Sequence, residues 1–305
     1  MSEFFFNYGL FLAKVLTVVL GIVVIIAVAA AAGRKSHQEG LEVEDLNKKY
    51  KKLSGVLRKA VLNKDERKKE AKEEKKRDKA EAKQPSVRPR SFVINFKGDL
   101  KASALPSLRE EVSAVLDVAT EKDEVIVCLE NHGGMVHEHG LAASQLARIR
   151  DRGIPLVVCV DKVAASGGYL MACVASRIYA APFAILGSIG VLAQIPNVHR
   201  LLKKHDVDVE LLTAGKYKRT LTVLGENTDE GRQKFIEELE DIHALFQEFV
   251  GSRRPQLSMD EVATGEVWYG DRALAKQLID ELCTSDEYLA RSCENRDVFE
   301  VRWVE

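Results

Sequence analysis

The sequence predicts an α/β protein: a mainly parallel sheet with helices on its faces, preceded by an apolar helix and a charged linker. Three observations carry this expectation. From residue 91 onward, short apolar runs of strand length alternate with stretches of helical period. Near the amino terminus, Val15 to Ala32 runs without a charge. The formal net charge of −1 over 305 residues also averages three unlike parts. Residues 1–33 carry only Glu3 and Lys14; residues 34–90 carry 20 basic and 11 acidic side chains, a net of +9; residues 91–305 carry 24 basic and 34 acidic, a net of −10. The expected organisation is therefore an anchor (1–33), a charged linker (34–90) and a folded domain (91–305). With 20 Gly, 7 Pro and 5 Cys the chain is neither collagen-like nor a disulfide scaffold. The acidic final part argues against a nucleic-acid partner, which would meet a basic folded surface.

The apolar run extends back to Tyr8 with one interruption, Lys14, whose stem can carry its ammonium to an interface. A helix needs about 20 apolar residues to cross a bilayer, and Phe4, Phe5, Phe6, Tyr8 and Phe11 add the aromatic enrichment of an interface. A single amino-terminal membrane span is expected. Ala27-Val28-Ala29 and Ala30-Ala31-Ala32 offer the competing reading, a cleaved signal peptide, but the positive leading region is poor. Lys64 to Lys83 is nearly all Lys, Arg, Asp, Glu and Ala, which cannot bury a core but can form a solvated helix held by i,i+4 pairs. The linker reads as a spacer lifting the domain off the bilayer. Lys48, Lys49, Lys51 and Lys52 are placed to touch anionic headgroups, worth about 1 kcal/mol each near the surface. Pro85 and Pro89 end it. Positive charge after the span favours a cytoplasmic body.

The elements of the domain follow in order. Phe92 to Phe96 is a short strand, and Leu105, Leu108, Val112, Val115, Leu116 and Ala119 recur at helical spacing. Val125 to Leu129 is a buried strand stopping at Glu130-Asn131-His132-Gly133-Gly134, with a helix over Val136 to Arg150. Pro155 to Val160 is the next strand, Asp161 to Gly168 its exit loop, and Tyr169 to Ala175 a small-residue helix. A strand near Val209–Thr213, a long helix from Asp229 to Val250 and a helix after Tyr269 complete the set. Met171 to Ile195 is apolar but broken by Arg177, Pro182, Gly187 and Gly190, which suits a buried helix, turn and strand better than a second span. In parallel sheets of this kind, active groups gather at the carboxyl ends of the strands.

Ala164-Ala165-Ser166-Gly167-Gly168-Tyr169 places a serine where a strand ends and a helix begins, near backbone N–H groups the helix leaves free. Such donors can stabilise an oxyanion; small residues here would equally permit close packing. No Gly stands two residues before Ser166, so the α/β-hydrolase elbow pattern is absent. Seven histidines are candidate bases: His37, His132, His137, His139, His199, His205 and His243. Three of them cluster at 132–139, but no His-Glu-x-x-His exists and residues two apart diverge on a helix, so no metal is expected. His199 and His243 read as surface residues. The other candidate is a lysine in Gly215-Lys216-Tyr217-Lys218-Arg219-Thr220, because desolvation and neighbouring cations favour the neutral base. On composition alone that run is an exposed basic turn. The five cysteines, Cys128, Cys159, Cys173, Cys283 and Cys293, form no framework, and the first three read as small buried hydrophobes.

Asp161 to Tyr169, followed by Ala214 to Thr220 and then Trp268-Tyr269-Gly270-Asp271-Arg272-Ala273 leading to Leu278-Ile279-Asp280, resembles the SohB / signal peptide peptidase A family of serine peptidases. The resemblance covers roughly residues 91–290, and the span with its charged linker is most similar to the SohB branch. It implies a crotonase/Clp-protease-like fold that assembles into rings, hence a homo-oligomer whose dyad can meet across subunits. It implies Ser166 as nucleophile, Lys218 rather than Lys216 as general base, and an oxyanion hole from the N–H of Gly167 with that of Gly133 or Gly134. It implies a peptide or protein substrate, no cofactor, and a bacterial-type inner membrane with the domain on the periplasmic side, against the charge after the span. His132 departs from the family's usual loop residue, and Gln277 stands where the closing motif commonly has Gly. Two rivals remain: a catalytically inactive membrane scaffold, and a crotonase-like acyl-CoA enzyme, which would need neither the Ser166–Lys218 pair nor an anchor.

Overall fold

The computed structural model describes residues 2–33, 40–69, 72, 73, 76 and 88–304. Most of Lys64–Lys83, and Pro85, lie outside the described residues, as does His37. The chain divides into two units, residues 1–40 with 304–305, and residues 41–303.

The first unit is helix α1 (Ser2–Gly33). Its segment Phe6–Ile26 has a mean hydropathy of 2.7 and no buried part, so by length and composition it can cross a bilayer.

The second unit begins with β1 (Gly40–Asp45) and α2 (Leu46–Val61). Then come β2 (Arg90–Gly98), α3 (Leu105–Val118), β3 (Glu124–Asn131), α4 (Val136–Asp151) and β4 (Leu156–Val160). Short elements follow: β5 (Val163–Ala165), α5 (Gly167–Ala172), β6 (Arg177–Ala180), β7 (Ile185–Gly187) and α6 (His199–Lys204). The chain ends with α7 (Asp229–Arg253), α8 (Met259–Val262), β8 (Val267–Tyr269), α9 (Gly270–Ala275), β9 (Glu281–Leu282), α10 (Ser285–Asn295) and β10 (Asp297–Val304). The main sheet runs β1-β10-β2-β3-β4-β6-β9, parallel from β10 to β9. A branch leaves it where β5 pairs β3, continuing to β7 in parallel and β8 in antiparallel.

Period-two alternation builds two cores from the same strands. Phe92, Ile94 and Phe96, with Val125, Val127, Leu129, Leu156, Val158 and Val160, face one core, which α3 and α4 close with Leu108, Val112, Leu146 and Ile149. Val93, Ile126, Val157 and Cys159 face the other, closed by Leu289 of α10 and Leu46 of α2. The α/β class with a mainly parallel sheet is thus observed.

Two expectations are corrected. Residues 34–90 do not run as one spacer, because β1 joins the sheet beside β10 and α2 docks behind it. Leu46 is only 2 % exposed. Asn47 Nδ2 donates to Cys293 O and Arg296 O, and Val298 N–H donates to Asn47 Oδ1. Val209–Thr213 is not a strand, although its pattern suits one. Among the described residues no strand of the sheet pairs with it to take its backbone groups. The surrounding segment 190–228 has only α6 as regular structure, and Leu192 and Leu212 are 87 % and 88 % exposed.

Two positions give stability predictions. Gln277 closes α9 in the left-handed conformation (φ +61°), with Gln277 N–H donating to Leu274 O and Leu278 N–H to Ala273 O. This Schellman ending favours glycine, so Gln277→Gly is expected to stabilise the fold by about 0.5–1 kcal/mol in urea titrations. Glu111 on α3 is buried, accepting from Trp303 N–H at 2.9 Å, and desolvation lifts its carboxyl to about 7. Native protein then keeps a proton that the unfolded chain releases between about pH 4.5 and 7, so stability falls as pH rises through that window. Glu111→Gln removes this loss. The variant is expected to match the parent near pH 4 and exceed it at pH 8 by about 3 kcal/mol, read from urea midpoints.

Candidate active site

The carboxyl ends of β3 and β5 lie side by side, with Asn131 paired to Ala164. This register brings the loop after β3, with Gly133 and Gly134, against the β5–α5 turn that holds Ser166. Ser166 has φ +52° and ψ −120°, a conformation that costs a non-glycine residue about 1–3 kcal/mol. The Gly that marks a hydrolase elbow in sequence is missing, yet the strained strand-to-helix turn of such an elbow is present. Its half-buried serine precedes the first turn of α5, where Gly167 N–H has no intrahelical acceptor within reach.

Two glycines make the approach possible. Gly133 has φ +87°, and a Cβ there would come within 2.7 Å of Ser166 Cβ and Gly167 N. A Cβ on Gly167 would meet the His139 ring at 2.5 Å. Gly133 N–H donates to Asn131 Oδ1 at 2.8 Å, so its donor is already engaged; Gly134 is the other loop glycine.

Ser166 is held from the far side as well. Its N–H donates to Gly187 O at 2.8 Å, and the Trp268 ring packs on Gly187 so closely that a Cβ there would approach it to 2.7 Å. The next residue, Ser188, also has φ +52°, and its N–H donates to Glu266 O at 2.6 Å. Tyr169 OH, completely buried, donates to Leu278 O at 2.9 Å. Asp280 accepts from Arg254 Nη1 at 2.8 Å and from Ile178 N–H at 2.7 Å. The Trp268–Asp280 motif therefore braces the serine turn.

The two lysines differ. Lys216 Nζ lies 2.8 Å from Glu230 and 5.0 Å from the Tyr217 ring centroid, and its hydrogen bond to Glu230 holds its pKa above the usual lysine value. A lysine held as an ammonium ion is a poor base. Lys218 is exposed, and among the described residues its ammonium makes no ion pair or hydrogen bond. No hydrogen bond joins it to Ser166 within this one chain.

The histidine cluster separates. His132 is exposed, and His137 is exposed beside Glu138 at 3.6 Å. His139 is fully buried, its Nδ1 3.0 Å from Met135 O and its Nε2 3.2 Å from Asn131 Oδ1. Both ring nitrogens lie within hydrogen-bond distance of acceptor oxygens, one of which the N–H of a neutral ring serves, so this residue ties the loop to the start of α4. Sequence reasoning missed that role, and missed Asn131 and Ser188; Asn131-His132-Gly133-Gly134 after a strand was the available signal for the first. The cysteines are free thiols, and burial pushes Cys128 and Cys173 up to about 12, away from nucleophilic use.

Two descriptions cover almost the whole chain: peptidase family S49 N-terminal over residues 3–146, and peptidase family S49 over residues 148–298. Probable protease SohB of Haemophilus influenzae is 47% identical over 317 residues, covering 99% of this chain and 90% of its own. Its namesake in Buchnera aphidicola subsp. Schlechtendalia chinensis is 47% identical over 302 residues, covering 94% and 99%. Among solved structures, a mutant of the 1510-N membrane-bound stomatin-specific protease gives a TM-score of 0.44 at 13% identity, over 68% of this chain and 86% of that one. A ClpP1 mutant from Listeria monocytogenes gives 0.40 at 10% identity, over 65% and 92%. The near-complete sequence matches define a protease. The chain belongs to peptidase family S49, among the SohB proteins.

Proposed function

We propose that the chain is a membrane-anchored serine endopeptidase in which Ser166 is the nucleophile and Lys218 the general base. The observation that carries this is the strained Ser166 turn, which sets the serine immediately before the Gly167 N–H at the carboxyl ends of two parallel strands. Neutral Lys218 takes the Ser166 Oγ proton as Oγ bonds to the substrate carbonyl carbon, and the oxyanion is received by Gly167 and Gly134 N–H. Gly133 is left out, because its N–H serves Asn131. Collapse breaks the C–N bond, and Lys218 ammonium gives its proton to the departing amine. Water, deprotonated by the same lysine, then cleaves the ester and restores Ser166.

Lys218 reaches Ser166 from a neighbouring copy. Supporting this, the 190–228 segment that carries it exposes Leu192, Leu211, Leu212 and Tyr217, an apolar surface that a second copy would cover. The peptidase body starts near residue 41 rather than 91, with α1 as the anchor in a bacterial inner membrane. The body faces the periplasm; a carboxyl-terminal reporter active only in the cytoplasm would overturn that placement.

Labelling the purified full-length chain with a fluorophosphonate tests the chemistry. The reagent is expected on the peptide containing Ser166. No label, as an inactive scaffold requires, or a label elsewhere, overturns the assignment.

A further inference from the structure

We propose that α2 is an interfacial helix, lying in the headgroup region of an anionic bilayer with its apolar stripe down. The proposal rests on the reading of α1 as a membrane span. Leu46, Tyr50, Leu53, Leu57 and Val61 recur at i, i+4, i+7, i+11 and i+15, forming one face of the helix. The face is used twice. At its start Leu46 and Tyr50 pack on the sheet, fixing the helix to the body. Beyond them the same face is uncovered: Leu53 and Leu57 are exposed, and Val61 is 74 % exposed.

The charges say what covers it. Between Leu46 and Val61 there are six basic residues and no acidic one. Lys48 and Lys49 reach back to Asp45 and Glu44. At 100° per residue Lys51 and Arg58 lie about 100–120° from the middle of the stripe, on its flank, from which long stems can carry their cations to headgroups, while Lys52 and Lys59 lie on the far side and add to the helix's positive field. A second α2 would bring six cations against six, which disfavours self-pairing. The following chain, residues 63–89, contains no Leu, Ile, Met or aromatic residue with which to cover the stripe. A lipid surface of negative charge satisfies both faces at once.

The full-length chain in nanodiscs, one copy per disc, tests this with Leu57→Trp and acyl-chain-brominated lipid. Emission is read against the parent, which carries Trp268 and Trp303. In discs containing phosphatidylglycerol the added tryptophan is expected to shift to the blue and be quenched. Changing Lys51, Lys52, Arg58 and Lys59 to Glu should cut that quenching by more than about half, as should replacing the anionic lipid with phosphatidylcholine. Quenching no greater than the parent's in anionic discs, or equal in both lipids, overturns the proposal. Protection appearing only with two copies per disc also overturns it, assigning the stripe to a second copy. Phe11→Trp serves as the control: it is quenched in either lipid when α1 spans, so failure of the anchor reads separately from failure of α2.

Discussion

Ser166→Ala is expected to leave at most about one part in 10⁴ of the peptide-hydrolysing activity, with the melting temperature nearly unchanged. The reason stability survives is that alanine meets the same positive φ and the same close neighbour at Gly133 that serine meets now. Ser166→Gly separates the two properties more sharply. It removes the proposed nucleophile and also relaxes the +52° turn, so it is expected to be equally inactive while gaining about 1 kcal/mol of stability. Steady-state hydrolysis and urea unfolding of the three proteins check this together. A glycine variant less stable than the parent would mean that the turn is not the strained element described above.

Lys218→Ala is expected to cost as much activity as loss of the serine, whereas Lys216→Ala should stay within about tenfold of the parent. Lys216 is paired with Glu230 and held protonated, so its loss removes a positive neighbour and leaves the proposed base in place. The reverse result, a dead Lys216→Ala and an active Lys218→Ala, would exchange the assignment. Because only the neutral amine accepts a proton, the parent's rate should climb with pH, and a flat profile into the alkaline range would exclude a lysine base. Mixing the two inactive proteins, Ser166→Ala and Lys218→Ala, tests the shared site. If serine and lysine come from neighbouring copies, random mixing restores about a quarter of the sites. No recovery would place both residues in one chain.

Much of the architecture was readable because β3 and β4 carry unbroken apolar runs, Val125–Leu129 and Leu156–Val160, a pattern that parallel strands buried on both faces produce. The motif serine was readable from its neighbours, but its turn was not. Ala164 stands where the familiar elbow has glycine, and Gly133, distant in sequence, supplies the space instead. The misread strand at Val209–Thr213 has the right local pattern and lacks a partner, which sequence alone does not reveal. The start of the body was hidden for a different reason. Lysine-rich composition dominates residues 40–61, while the contacts that fold them are the pairing of β1 with β10 and the docking of Leu46, Asn47 and Tyr50. The difference between Lys216 and Lys218 rests on Glu230, fourteen residues away on α7, and so no local reading separates them.

The docking of β1 and α2 bears on how a soluble form of this enzyme must be cut. Trimming at residue 91, where composition places the boundary, would bare the flank of β10 and strip the three hydrogen bonds of Asn47 from Cys293, Arg296 and Val298. A naked strand of that kind recruits strands from other molecules, so such a protein would precipitate for reasons unrelated to the loss of the apolar helix α1. Cutting near residue 40 leaves β10 capped, and with it a peptidase body whose solubility reports on its own surface.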